Sequence, residues 1–350
     1  MLIGLPLMGL GFILLSRVNS LLTLYLVYII FITFGSSLGA FTTVNAAVAN
    51  WFVKKRTRAF GIVMSGVAVG GAVFLPLLGW WITTYGWRSA AMAAGLLITT
   101  TGVPLSLLMR HRPEQYGYLP DGADPIDQGE TASADNQDTA SVGVEQEIGP
   151  IQCLKTSAFW FLGGSLALRA MVTTGVTIHF VSMMVDRGLS LTAASALLGS
   201  VALLSLVGRL GMGWLGDMVD KRYLLAVAMG VMALTMMGLS QAQSMPLVLA
   251  NLVVYAAAYG GCIVLPLALQ ADYFGRHAYA TIRGLLNTVQ TAGMLVGPIF
   301  AGLIFDVTGN YNVAFAGFAV ASALSGVLLI GLRRPKVPTT QHVGMSFIHG

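Results

Sequence analysis

The sequence predicts an all-α, polytopic membrane bundle of about ten helices, and three observations carry that prediction. Hydrophobic residues fill 56% of 350 positions and charged residues only 9%, with a mean hydropathy of +0.77, whereas a soluble domain carries about 25% charged residues. A hydrocarbon core about 30 Å thick takes about 20 apolar residues per helix, and apolar runs of that order recur along the whole chain. The runs lack the sustained period-2 alternation that a membrane barrel needs.

Ten such runs follow in order: Leu2 to Leu15, Leu21 to Phe52, Ala59 to Thr84, Ala90 to Met109, Ala158 to Val185, Ala193 to Leu215, Tyr223 to Leu239, Met245 to Leu269, Ile282 to Phe305 and Val313 to Leu332. The first begins abruptly, with no basic residue ahead of it and no small-residue cleavage site behind it, so it is read as a helix and not a leader peptide. The second contains Gly35-Ser36-Ser37-Leu38-Gly39, which fits the hydrolase nucleophile pattern. That pattern works only where a strand turns into a helix; inside an apolar helix its small residues serve close packing. Trp80, Trp81 and Trp87 at the end of the third run fit an aromatic belt.

Between the fourth and fifth runs, residues 113–150 hold nine of the 14 acids and almost no large apolar residue. Such a composition buries too little surface to fold, so the stretch is read as a disordered acidic linker. It divides the chain into residues 1–112 with four spans, residues 151–336 with six, and a tail over 337–350.

Charge gives the orientation. Loops that share a side with Met1 collect 14 of the 19 Lys and Arg, the opposite side holds Arg17, Arg88 and Arg187, and Arg169 and Arg209 lie within spans. Cytoplasmic loops carry the basic excess, so both termini are expected in the cytoplasm of a cell whose plasma (inner) membrane holds the protein. The net charge of +5 does not indicate nucleic acid, because the cations are scattered between apolar runs. Two cysteines, Cys153 and Cys262, build no disulfide framework, and no Cys/His cluster suggests a metal or any other cofactor.

An internal echo crosses the linker. Trp51-Phe52 matches Tyr273-Phe274 at an offset of 222 residues, as Gly71 matches Gly293 and Pro76 matches Pro298, with a basic loop after each aromatic pair. Paired halves are common in membrane transporters. Equivalence of the halves places three runs before the eighth but only one before the second, so two further helices are expected upstream of Met1, twelve in all.

Gly213-Trp-Leu-Gly-Asp217-Met-Val-Asp-Lys221-Arg222 resembles the GxLaDrxGrR loop of the major facilitator superfamily, differing at Asp220 where the family has Gly. Asn50-Trp-Phe-Val-Lys-Lys-Arg-Thr-Arg-Ala-Phe-Gly61, then Pro76 and Tyr85-Gly86-Trp87-Arg88, is similar to the branch of monocarboxylate and oxalate/formate transporters. The resemblance covers nearly the whole chain and aligns it with the family's third to twelfth helices. It implies two pseudo-symmetric helical halves (4 + 6), a cavity lined by runs two, five and eight, and a latch between the halves at Gly213, Asp217, Lys221 and Arg222. Independently of it, a carboxylate leaving one helix suits the N-terminus of another. Arg209 and Asp272, both near the same side, are expected to pair as part of that latch.

The candidate substrate site centres on Arg169. It lies within three residues of the middle of its run, where an Arg costs about 2.5 to 3.5 kcal/mol on insertion scales. Ser165, Arg169, Thr173 and Thr177 follow at i, i+4 spacing, as do Asn251, Tyr255 and Tyr259, while Asn287 and Gln290 stand on the ninth run. Asn45 on the second run and His179, the titratable group near neutrality inside a span, complete the set. A guanidinium flanked by hydroxyls suits a carboxylate. The runs matching the family's eighth and eleventh helices lack a midplane Arg or Lys, which leaves the particular acid open. The reading is a monomeric carrier, in a lipid bilayer, of a small organic anion by alternating access, through exchange or facilitated transport and not obligatory proton symport. A membrane sensor of transporter fold and an exporter of amphipathic compounds are the competing readings. An enzyme is set aside because no Asp or Glu lies at membrane depth for acid/base work.

Overall fold

The computed structural model describes residues 1–335 apart from 40, 111, 123–147, 243 and 277. The middle of the acidic linker and the tail over 337–350 therefore lie outside the described residues. The main helices are α1 (Gly4–Leu15), α2 (Leu21–Trp51), α3 (Arg56–Tyr85), α4 (Trp87–Leu108), α5 (Ser157–Asp186), α6 (Leu191–Leu215), α7 (Lys221–Gln241), α8 (Met245–Phe274), α9 (Tyr279–Thr308) and α10 (Asn312–Gly331). Among the described residues, the nine from α2 to α10 are long and apolar enough to cross a membrane. At 12 residues, α1 reaches only about 18 Å and packs on α2 and α4.

Within α2 the backbone widens to a π-helical stretch over Tyr28–Thr33, which re-aims the helix beyond it. In the nucleophile-like pattern, the Ser36 and Ser37 hydroxyls both donate to the Thr33 carbonyl, at 2.9 and 3.0 Å. They satisfy their own helix, as a packing segment does.

The six helices of the C-terminal half form one bundle. In it α5 packs on α9 and α10, α7 on α8 and α10, and α6 on α8. Buried side chains of this half make a continuous apolar core from Ile148 to Leu332. A second, smaller core joins the halves, with Ala46, Ala49, Phe60 and Met64 meeting Val264, Leu267, Ala271 and Tyr279. It sits at the end of the bundle that carries Lys54, Lys55, Arg58, Lys221 and Arg276, called the basic end below. Away from it α3 loses its partners: every residue from Ala72 to Tyr85 except Leu78 is exposed.

The internal echo extends to geometry. Helices α3 and α9 are both 30 residues long and contain the matched prolines Pro76 and Pro298. Each is closed by a glycine at positive φ, Gly86 at 80° and Gly309 at 70°.

The described edges of the acidic stretch are docked, in contrast to the expected disorder. Residues 114–116 and 120–122 form short 3-10 turns, Glu114 pairs with Arg276 at 2.8 Å, and Ile148 is buried in the larger core.

Candidate functional site

The middle of the bundle is set by the contact of α5 with α9. A Cβ at Gly293 would strike the Ala167 carbonyl, so only glycine lets the two backbones come this close. Pro298 has no N–H to give the Met294 carbonyl one turn earlier, and the Thr174 hydroxyl supplies the missing donor at 3.2 Å. This seam brings Arg169 beside Gln290, whose Oε1 accepts from the guanidinium at 3.4 Å.

Arg169 is only 9% exposed, and its Nε has no partner among the described residues. Its charge acts on Tyr255 and Cys262 of α8, and Tyr255 stacks on Tyr259 with ring centroids 5.9 Å apart. Tyr259 in turn lies within the field of Arg209 on α6. A cation with an unused N–H thus meets an amide between α5 and α9, and two stacked phenols stand on α8. Such a set presents donors to an oxyanion.

Two of the expected polar stripes divide. The Ser165 hydroxyl pairs with Ser325 of α10 at 2.8 Å, Thr173 donates to the Ala170 carbonyl and Thr177 to the Thr173 carbonyl. On α8, the Asn251 amide donates to its own helix at Leu247 and lies against Gly238 of α7. An α-helix turns about 100° per residue, so i, i+4 steps drift by about 40° each and four members spread over about 120°. Only part of each stripe shares a face.

His179 is occupied elsewhere. Its Nε2 donates to the Pro298 carbonyl at 3.1 Å, and Nδ1 meets the Tyr311 hydroxyl at 3.3 Å. Asn287 is half-buried, and its carbonyl accepts from Thr291. Asn45 is fully buried where α2 packs against α8 and α9, with both amide atoms unpartnered among the described residues.

At the basic end Asp217 accepts the N–H groups of Thr57 and Arg58, at 2.8 and 3.2 Å, and pairs with the Arg58 side chain at 3.3 Å. A carboxylate from the C-terminal half therefore caps α3 of the N-terminal half. The backbones cross tightly there: a Cβ at Gly213 would come within 3.2 Å of the Thr57 carbonyl.

The expected pair of Arg209 with Asp272 does not form. Asp272 instead bridges Arg56 and Lys221, both at 2.7 Å, while Arg209 donates to the Met64 carbonyl. Depth decides the partners. Arg209 lies six residues, about 9 Å, from the end of α6, and Asp272 lies level with the start of α3. Arg222 also stays within its own half, donating to the Leu332 carbonyl and the Tyr223 hydroxyl.

Sequence reasoning missed three residues. Arg56 and Arg283 were counted as loop cations, yet they are 1% and 7% exposed. Asp121, assigned to the linker, accepts the N–H groups of Val53, Lys54 and Lys55 at 2.9, 2.6 and 3.3 Å. No periodic signal marks partners so far apart in the chain.

The sequence matches the Major Facilitator Superfamily over residues 1–293 and again over 162–345. It is 29% identical over 338 residues to monocarboxylate transporter 13 of Rattus norvegicus, covering 92% of this chain and 70% of that protein. It is 30% identical over 343 residues to monocarboxylate transporter 13 of Bos taurus, with the same coverage. In fold it is similar to the crystal structure of the human organic anion transporter MFSD10 (TETRAN), with a TM-score of 0.68, 14% identity, and coverage of 94% of this chain and 76% of that chain. By its sequence match and by its apolar helices in two related halves, the chain belongs to the Major Facilitator Superfamily of membrane transporters.

Proposed function

We propose that this transporter carries a small organic anion, a mono- or dicarboxylate, by alternating access, with Arg169 as the anchor. The observation that carries the reading is a buried guanidinium, deep in a span, whose one hydrogen bond among the described residues is a long one to an amide. Charges within spans face partners or substrates, and a guanidinium fork matches a carboxylate in two hydrogen bonds. Tyr255, Tyr259, Asn287 and Gln290 supply further donors. The names of the relatives agree with the substrate class.

The halves meet chiefly at the basic end. With that end cytoplasmic, in the plasma membrane with both termini inside, this is the form open to the outside. Gly213, Asp217, Lys221 and Asp272 then act as a latch on Thr57, Arg58 and Arg56 that must release when the cavity turns inward. Because no carboxylate lies at mid-span among the described residues, transport runs by exchange or facilitated movement.

The test is counterflow of labelled propionate in liposomes holding the purified protein. Saturable uptake is expected, and Arg169→Ala should remove it while the protein still inserts. Uptake by Arg169→Ala at the parent rate and affinity would falsify the assignment.

A further inference from the structure

A cavity of about 850 Å³ stands at the end of the bundle opposite the basic end, between the last turns of α7 and the first turns of α10. Arg187, Ser240, Gln241 and Asn312 supply its polar lining, and Met237 and Val313 are among its apolar residues. Arg187 directly follows α5, 18 residues beyond Arg169, or about 27 Å along the helix axis. The cavity is therefore separate from the group around Arg169.

The Arg187 Nη2 donates to the Leu239 carbonyl and to the Asn312 Oδ1, both at 3.0 Å. These bonds tie the end of α5 to those of α7 and α10, and they use both N–H groups of Nη2. Nη1 has two more, yet it is enclosed and has no partner among the described residues. None of the ion pairs among the described residues includes Arg187, and burial pushes its guanidinium down from the usual arginine range. A cation in that state gains from an anion beside it. The start of α10 acts in the same sense, since a helix N-terminus favours negative charge. Because Asn312 gives its Oδ1 to Arg187, its Nδ2 is left as a donor, and the exposed Gln241 amide adds another.

The apolar part of the lining indicates what carries the anion. Met237, Leu234 and Val227 are exposed along α7, and Val313, Val320 and Leu324 along α10. Steps of three, four and seven keep each set on one helix face. Both strips start at the cavity, whose depth at the helix ends is that of the lipid headgroups. A free anion would fill the polar lining and leave Met237 and Val313 uncovered, whereas an amphiphile covers both.

We propose that this cavity binds the headgroup phosphate of an outer-leaflet phospholipid, with Arg187, Gln241 and Asn312 as its polar contacts and an acyl chain on the apolar strips. The lipid then joins the ends of α5, α7 and α10, whatever the protein carries.

The test is photolabelling of the full chain in an uncharged detergent, using a phosphatidylglycerol that bears its reactive group near the glycerol. In the parent, label is expected on the peptides that hold residues 237–242 and 312–316. Arg187→Gln should lower it about tenfold there and leave labelling elsewhere unchanged. Gln241→Glu, a change at an exposed position that sets a like charge on the cavity rim, should lower it about threefold or more. Unlabelled dioctanoyl phosphatidylglycerol should compete, while inorganic phosphate and dioctanoylglycerol should not. No label at these peptides, or an equal loss over the whole chain in Arg187→Gln, overturns the site. Competition by inorganic phosphate overturns the lipid as its source, and equal competition by dioctanoylglycerol overturns the phosphate contact. Should Arg187→Gln not fold, Gln241→Glu decides, and unchanged label in that variant overturns the proposal.

Discussion

Arg56 and Arg169 are both buried guanidinium groups, yet the basic end and the middle of the bundle use them in opposite ways. Arg56 pairs with Asp272 at 2.7 Å and gives its Nε to the Phe52 carbonyl at 2.9 Å. Among the described residues Arg169 has one bond of 3.4 Å and an idle Nε. A charge saturated by its own chain holds a conformation; a charge left under-satisfied retains interaction energy for a ligand. In the proposed function the basic end is a clasp between halves and the middle a receptor, although the residue type is the same.

The largest expected effect separates the two roles. Arg169→Ala should lower propionate uptake about a hundredfold or more with little change in melting temperature, and Arg169→Lys should lose part of it because an ammonium lacks the fork. Liposome uptake and thermal unfolding in detergent, measured on the same preparations, check this. A large drop in melting temperature for Arg169→Ala would place it with Arg56 as a structural charge.

Next is Asp272→Asn, which leaves Arg56 and Lys221 without their shared carboxylate. Breaking a buried pair costs about 3 to 5 kcal/mol, and the partial exposure of Asp272, at 20%, puts the expectation at the low end. The cost falls on the closed basic end, so distances between spin labels on the loops after α2 and α6 should lengthen in the variant. Unchanged distances would show that the clasp does not depend on this ion pair.

Asp217→Asn is a smaller break, because an amide oxygen still accepts one of the N–H groups of Thr57 and Arg58. A loss of about 1 kcal/mol should appear as faster hydrogen exchange in the first turn of α3, with less at α9. His179→Ala sharpens the comparison from the other side. The His179 bonds go to Pro298 and Tyr311 and not to the Arg169 group, so propionate uptake should change by less than about threefold, and an imposed pH gradient should drive no His179-dependent accumulation.

The repeat, the four-plus-six division and the basic side were legible because each rests on one-dimensional signals. An apolar run, a proline at a matching offset and a cluster of lysines between spans are read without knowing which helix neighbours which. Asp217 was legible too, since a carboxylate just past a helix end suits the next helix N-terminus. The site was legible only in part. Arg169 stands out because an intramembrane charge is rare, but Ser165 and Asn251 shared its spacing pattern and turned to α10 and α7.

By itself the sequence determined the class of solvent around this chain, nine of its ten apolar runs as long helices, their pairing into halves and which end carries the cations, since transfer of side chains between water and lipid is a local free energy summed along each run. Only the tertiary structure decided that Asp272 serves Arg56 instead of Arg209, that His179 belongs to Tyr311, and that Arg283 is enclosed without a counter-charge among the described residues. Those outcomes depend on charge separations of a few ångströms between residues as far as 216 positions apart. Coulombic attraction falls with that separation, which packing depth and helix rotation set and which no spacing along the chain records.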